Sequence, residues 1–393
     1  MKSFMFLGSL PSSKSIYNRA LIAKSYYPEL EIQGRSDAED VAAMIDSIDR
    51  LTKGENKFYC GHAGTVFRFL VPRLAREKGR FTIAGSRRLF ERPQQAIEKI
   101  LLQLGAFAIE WTEDSLSFSS DGWRQMGDAV HVSTSDSSQF LSGILLNAWQ
   151  LPFDLAIVLP EKLVSVGYLQ MTLDVLHQLG MDIRVGEKEI TIPKNQKVVQ
   201  QKIKIEPDMS CAFSIATVAA LCGEARFTDF PDESLQPDGR FFDVLEDMGI
   251  QVEHRWKWSR VLKTKKFHGI DLDLGDVPDL FPMLAILCCF AQGRSHLHGA
   301  KHLAHKESNR IEKVCELLTH LMIRFTKNDD GIEIEGPVNQ ELVQKFEFDP
   351  DNDHRMAMAA ALLQRVGLPV KIKNPDVVGK SFPDFYNIIG VTP

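Results

Sequence analysis

Cysteine is scarce and scattered in this chain: Cys60, Cys211, Cys222, Cys288, Cys289 and Cys315 form no C-x-x-C pair. That spacing supports neither a disulfide framework nor a zinc site. Cys288 and Cys289 lie in an apolar run, where thiols act as small buried hydrophobes. A reduced, cytoplasmic setting is expected. Long hydrophobic runs are missing too. The most apolar stretch, residues 280–291, is interrupted by Pro282 and falls short of the roughly 20 residues a membrane-spanning helix needs. The opening MKSFMFLGSLPSSKS has one Lys ahead of a short apolar patch and no small-residue cleavage site, so it is not read as a secretion signal. Positive charge is not in excess either: 46 Lys+Arg against 52 Asp+Glu leave a net charge of −6. A dedicated nucleic-acid binder or a polybasic membrane-surface protein would carry a basic domain.

What is present is an ordinary globular composition, 44% hydrophobic and 25% charged over 393 residues, long enough for two or three domains. The chain repeats itself. An amphipathic helix ending at Leu-Gly or Met-Gly, then two short alternating strands, is legible at residues 96–119, 172–193, 241–254 and 314–336. Gly105, Gly180 and Gly249 stand where a helix C-terminus calls for positive φ. Between these units lie polar or Gly-containing turns that lead straight into apolar helices, near residues 13, 64, 137, 209, 279 and 354. The period is about 70 after a shorter first step, and the turns offer Ser, Thr, Asp or Gly, the residues that start helices. Helices apolar nearly all round must be buried. The pattern predicts about six βαβαββ-like modules, three per half, dividing near Glu206-Pro207-Asp208. Parallel buried helices would gather their N-terminal dipoles on one face, a ready anion site.

The basic residues beside those turns carry the functional signal. Lys14 and Arg19 flank the first turn, Arg68 follows the second, and Arg355 lies in the sixth. Lys306 and Arg310 belong to HKESNR, Lys380 to VVGKSFPD, and Arg87, Arg88 and Arg92 to GSRRLFERP. Each alone is an ordinary surface charge. As a set, cations beside helix starts suit a ligand with several phosphate or carboxylate groups. Two acids stand among them. Asp279 reads either as a helix cap or as a general base, and Glu307 as a local ion-pair partner or an acid/base group.

The segments P-S-S-K-S-x3-R, G-H-A-G-T-x2-R, S-S-Q-F-L, H-K-E-S-N-R, N-D-H-R-M-A-M and G-K-S-F-P-D-F, in that order and spacing, resemble the signature stretches of the 5-enolpyruvylshikimate-3-phosphate synthase family. The resemblance runs from about residue 8 to Tyr386. It implies a two-domain α/β fold, the inverse α/β barrel of enolpyruvyl transferases, with three βαβαββ repeats and buried parallel helices in each domain. One domain would be residues 11–207, and the other residues 1–10 plus 208–393, with the active site in the cleft between. The implied reaction passes the enolpyruvyl group of phosphoenolpyruvate to the 5-hydroxyl of shikimate 3-phosphate through a tetrahedral intermediate, releasing phosphate.

By match to family positions, Lys14, Gly64, Arg68, Arg88, Arg310, Arg355 and Lys380 would bind phosphoenolpyruvate. Ser15, Arg19, Ser137, Ser138, Gln139, Ser165, Tyr168, Asp279 and Lys306 would hold shikimate 3-phosphate. Asp279, Glu307 and Lys14 would move protons. No cofactor or metal is implied, no nucleic-acid or membrane partner is expected, and a monomer is expected. The sequence departs from the family at Ser12, His62, Phe69, His302 and Asn309, none of which removes a catalytic cation or acid. The sister transferase acting on UDP-N-acetylglucosamine usually carries a Cys in the loop corresponding to residues 85–93, and none is present. A silent binding paralogue would be expected to have lost Asp279, Glu307 or Lys380, and all three remain.

Overall fold

Three of the apolar helices start on a side chain that takes up a free backbone N–H. Ser13, Asp208 and Asp353 accept from the N–H groups of Ile16, Cys211 and Arg355 at 3.4, 2.9 and 2.9 Å, opening α1 (Lys14–Lys24), α8 (Met209–Cys222) and α12 (His354–Arg365). The other three, α3 (Gly64–Leu74), α6 (Gln139–Leu146) and α10 (Phe281–Cys288), start without a side-chain cap. Asp279 therefore does not cap α10; it sits in a 3-10 turn, Pro278–Leu280, just ahead of it.

The computed structural model describes residues 3–161, 163–231 and 233–392. The chain divides into a first unit, Ser13–Ile205, and a second made of the residues up to Ser12 with those from Glu206 on. The first unit starts and ends two residues inside the 11–207 bounds that the resemblance implies. The reason is local: Ser12 bridges Pro207, and Asp208 N–H donates to Pro11 O at 2.9 Å.

In the first unit, β3 (Lys57–Tyr59), β4 (Lys78–Ala84), β6 (Ser115–Asp121) and β5 (Phe107–Trp111) form one sheet in that order. A second holds β7 (Val130–His131), β8 (Leu155–Val158), β10 (Glu189–Ile192) and β9 (Arg184–Val185). In the second unit the corresponding sheets run β1 (Phe4–Gly8), β12 (Gly223–Thr228), β14 (Trp258–Leu262), β13 (Val252–Arg255), and β15 (Asp271–Asp273), β16 (Gly293–His298), β18 (Gly331–Gly336), β17 (Arg324–Asn328). In all four the first pair is parallel and the rest antiparallel. Among the described residues the remaining module of each unit is shortened to one parallel pair: β2 (Glu31–Gln33) with β11 (Lys202–Lys204), and β19 (Phe346–Phe348) with β20 (Val370–Ile372). Strand β1 precedes α1 in sequence yet pairs with β12 after α8. Strand β11 precedes α8 yet pairs with β2 after α1. The two entry strands are thus exchanged between units.

The amphipathic helices are α2 (Glu39–Thr52), α5 (Gln95–Gln103), α7 (Val166–Gln178), α9 (Phe241–Asp247) and α11 (Arg310–His320), with short α4 (Arg87–Glu91) and α13 (Phe385–Ile389) beside them. Three of the expected C-cap glycines have the required left-handed backbone: Gly105, Gly180 and Gly249 have φ of 87°, 96° and 79°. The place after α11 is filled by Met322 at φ 56°. Helices α1, α3 and α6 pack on one another in the first unit, as α8, α10 and α12 do in the second. Among the described residues no helix is long and apolar enough to cross a membrane.

Candidate active-site residues

In the first unit, Lys14 lies in the first turn of α1 and donates to Asp40 of α2 at 2.9 Å, with both side chains largely buried. One turn on, Arg19 is spread across three acceptors: Thr172 Oγ1 at 2.8 Å, Ser15 O at 2.7 Å and Tyr168 O at 3.2 Å. It also lies over the Phe69 ring at 5.1 Å. Burial, partly opposed by Tyr168, lowers its pKa to about 9, so it stays protonated at neutral pH. Arg68 reaches Gln94 Oε1 at 3.1 Å, Gln139 Oε1 at 3.0 Å, Ser137 Oγ at 3.3 Å and Pro93 O at 3.4 Å. These four acceptors are uncharged and orient the guanidinium. Gln139 Nε2 in turn donates to Thr65 Oγ1 at 3.0 Å, which ties the starts of α3 and α6 together.

Gly64, the first residue of α3, is buried. A Cβ there would meet Arg92 Nη1 at 2.9 Å. The arginine brought to Gly64 is therefore the buried Arg92. Arg88, the position expected from the family match, is 38% exposed, with Glu91 3.7 Å away. Ser138 is buried at the start of α6. Ser165, also buried, opens α7 in the left-handed region at φ 52°, and its carbonyl accepts from Tyr168 N–H at 3.1 Å.

The second unit holds a denser cluster. Arg310, 1% exposed, donates to Asp353 Oδ2 at 2.8 Å, Asp279 Oδ1 at 2.9 Å and Glu307 Oε2 at 3.1 Å. Asp279 Oδ2 also takes Arg355 Nη2 at 2.8 Å, and Glu307 Oε1 takes Lys380 Nζ at 3.0 Å. Arg355 further reaches Ser210 Oγ of α8 at 3.2 Å. The starts of α8, α10 and α12 thus meet within hydrogen-bond reach, as the dipole argument anticipated.

Electrostatics follow from that crowding. Burial alone would raise the Asp279 pKa, but Arg355, Lys306 and Arg310 outweigh it and hold the carboxyl well below its usual range. For Arg310 burial opposes the charge, and Asp353, Glu307 and Asp279 overcome it, raising its pKa. Burial, then Lys306, brings the His302 imidazole down to about 3, so this ring is neutral at physiological pH. Asn309 keeps a helix-starting role, accepting from Glu312 N–H at 3.2 Å.

Sequence reasoning missed Asp40, Gln94, Arg92, Ser210 and Asp353 as partners of the predicted residues. Asp353 carried a signal, since an acid two residues before Arg355 at a helix start is a cap. Asp40 carried none, because its pairing with Lys14 depends on how α1 meets α2.

The fold matches those of solved enolpyruvyl transferases. An EPSP synthase from Acinetobacter baumannii superposes with a TM-score of 0.76 at 23% identity, covering 99% of this chain and 96% of that one. The enolpyruvyl transferase NikO from Streptomyces tendae gives 0.72 at 14% identity, covering 99% and 94%. Sequence narrows the class. The family model for EPSP synthase (3-phosphoshikimate 1-carboxyvinyltransferase) matches residues 29–389. The chain is 33% identical over 403 residues to the 3-phosphoshikimate 1-carboxyvinyltransferase of Syntrophobacter fumaroxidans, covering 96% of this chain and 95% of that one. It is 29% identical to that of Clostridium novyi, covering 96% and 93%. The chain belongs to the EPSP synthase family, enzymes of the shikimate pathway that transfer an enolpyruvyl group from phosphoenolpyruvate to shikimate 3-phosphate.

Proposed function

We propose that the Asp279–Glu307–Arg310–Arg355–Lys380 cluster binds phosphoenolpyruvate and handles the protons of its transfer to the 5-hydroxyl of shikimate 3-phosphate. The observation that carries this reading is Asp279 itself, a carboxylate bridging two arginines at the meeting of three helix starts. Without substrate, the acids neutralise the cations. The carboxylate and phosphate of phosphoenolpyruvate would compete for Arg310, Arg355 and Lys380. Drawing the arginines off Asp279 raises its pKa, so the base strengthens as the reactants arrive.

The 5-hydroxyl oxygen then bonds to C2 of phosphoenolpyruvate while its proton passes to Asp279. Glu307, with Lys14, delivers a proton to C3, giving the tetrahedral intermediate. Loss of phosphate from C2 and of a proton from C3 restores the double bond. Ser15, Arg19, Ser137, Ser138, Gln139, Ser165, Tyr168 and Lys306 are assigned to shikimate 3-phosphate. Gly64, Arg68, Arg88 and Lys14 complete the phosphoenolpyruvate contacts, with Arg92 packed against Gly64. Positioning and fixed charge account for the catalysis. A monomer working in the cytoplasm completes the reading.

The test is phosphate release from phosphoenolpyruvate with shikimate 3-phosphate or UDP-N-acetylglucosamine as acceptor, for the wild type and Asp279→Asn. Release with the first acceptor alone is expected. The variant should lose roughly 10²–10⁴-fold in kcat while binding shikimate 3-phosphate within a few-fold of wild type. A variant with near wild-type kcat removes Asp279 from the mechanism.

A further inference from the structure

Strands β15 and β16 are parallel neighbours, with Asp271 paired to His296 and Asp273 to His298. Alternation along β16 sends His296 and His298 to one face and the fully buried Leu297 to the other. On the open face three ligand-bearing side chains converge. Asp271 Oδ1 lies 3.0 Å from His298 Nε2 and 3.4 Å from His296 Nδ1, and the two imidazoles stack at 4.5 Å. One ligand atom from each residue falls within 4.8 Å of the others. The side chains of Asp271, His296 and His298 are 73%, 36% and 31% exposed, so an ion can reach them from solvent.

A zinc ion with bonds of about 2.0–2.2 Å in a tetrahedron sets its ligand atoms about 3.3 Å apart. Two of the three separations are already near that value, and small side-chain rotations supply the third. Two imidazoles and one carboxylate form a nitrogen-rich set, suited to Zn²⁺, Ni²⁺ or Cu²⁺ and poorly suited to Mg²⁺ or Ca²⁺. We propose that Asp271, His296 and His298 form a divalent transition-metal site on the outer face of this sheet, with water in the open position. On binding, each ring nitrogen facing the ion presents its lone pair, so any proton it carried moves to the other ring nitrogen or to solvent.

The site joins two strands that feed the active-site segments. Strand β15 ends six residues before Asp279, and β16 leads into the 3-10 turn Lys301–His305 ahead of Lys306 and Glu307. A bound ion cross-links the two strands at their solvent face. The site does not depend on the catalytic assignments above.

The experiment is calorimetric titration of the EDTA-stripped full chain with Zn²⁺, for the wild type, His296→Ala, His298→Ala and, as control, His268→Ala. The wild type and the control should show one saturable site and a melting temperature that rises with Zn²⁺. Loss of either histidine should weaken binding by at least about tenfold and abolish that rise, while enolpyruvyl transfer in metal-free buffer stays unchanged. Absence of saturable binding, or wild-type affinity in either variant, overturns the proposal.

Discussion

Replacing Asp353 isolates what holds Arg310 in place. The carboxylate is fully buried and accepts from Arg310 Nε at 2.8 Å, Arg310 Nη2 at 3.4 Å, Ser308 Oγ at 3.1 Å and Arg355 N–H at 2.9 Å. It therefore starts α12 and anchors a buried cation together. Truncation to Ala removes both functions. A broken buried ion pair costs about 3–5 kcal/mol and a lost cap about 1 kcal/mol. The total of about 4–6 kcal/mol rivals the whole stability of a small domain.

Asp353→Asn is the sharper test, because its amide oxygen can still cap α12 and only the charge is lost. Arg310 keeps Asp279 and Glu307 as partners, so the expected cost falls to about 2–3 kcal/mol. With a urea dependence of about 2 kcal/mol/M, the unfolding midpoint followed by circular dichroism should drop by roughly 1–1.5 M. Arg310 should then lean further on Asp279, and KM for phosphoenolpyruvate should rise. Asp208→Asn, an equivalent cap change at α8, should cost less than about 0.5 kcal/mol. If Asp353→Asn also stays within about 0.5 kcal/mol, the carboxylate charge is not what anchors Arg310.

Other outcomes follow from single features. Met322 holds a left-handed φ of 56° where three sibling helices use Gly. Met322→Gly should relieve about 1–2 kcal/mol of strain against about 0.5–1 kcal/mol of added chain entropy; a lower melting temperature would contradict this. His302 has a pKa of about 3 against an ordinary 6.5, so between those values the unfolded chain binds the extra proton. Stability is then complete above pH 6.5 and falls as pH drops toward 3, by up to about 1.4 kcal/mol per unit. His302→Asn should flatten that slope in urea titrations at stepped pH, and an unchanged slope would show that the ring does not titrate this way. Arg92→Ala should raise KM for phosphoenolpyruvate, since Arg92 is packed against Gly64; a KM equal to wild type would show that this packing does not shape the pocket.

The repeat was written in the chain because its causes are local. A helix that ends at positive φ selects Gly, so Gly105, Gly180 and Gly249 marked three module boundaries. Buried helices must be apolar all round, which exposed the alternating module. The same period concealed the exception at Met322, an exposed residue held at a left-handed φ. It also concealed the shortening of two modules to single strand pairs. Cations beside helix starts were legible for a similar reason, since polyanion binding demands charge next to free N–H groups.

What the tertiary structure alone decided is which charge meets which. Lys14 finds Asp40 from the next helix, Arg310 finds Asp353 43 residues on, and Lys380 finds Glu307 from 73 residues away. Asp271 meets two histidines from a neighbouring strand, a cluster no spacing in the chain announces. Along the sequence these are isolated acids and bases. Their pKa values, and so their chemistry, come from neighbours within a few ångströms, where Coulomb energy and burial act on distance in space. The sequence by itself determined the class of fold and ligand, and the packing of helices and strands set the protonation and orientation of each group.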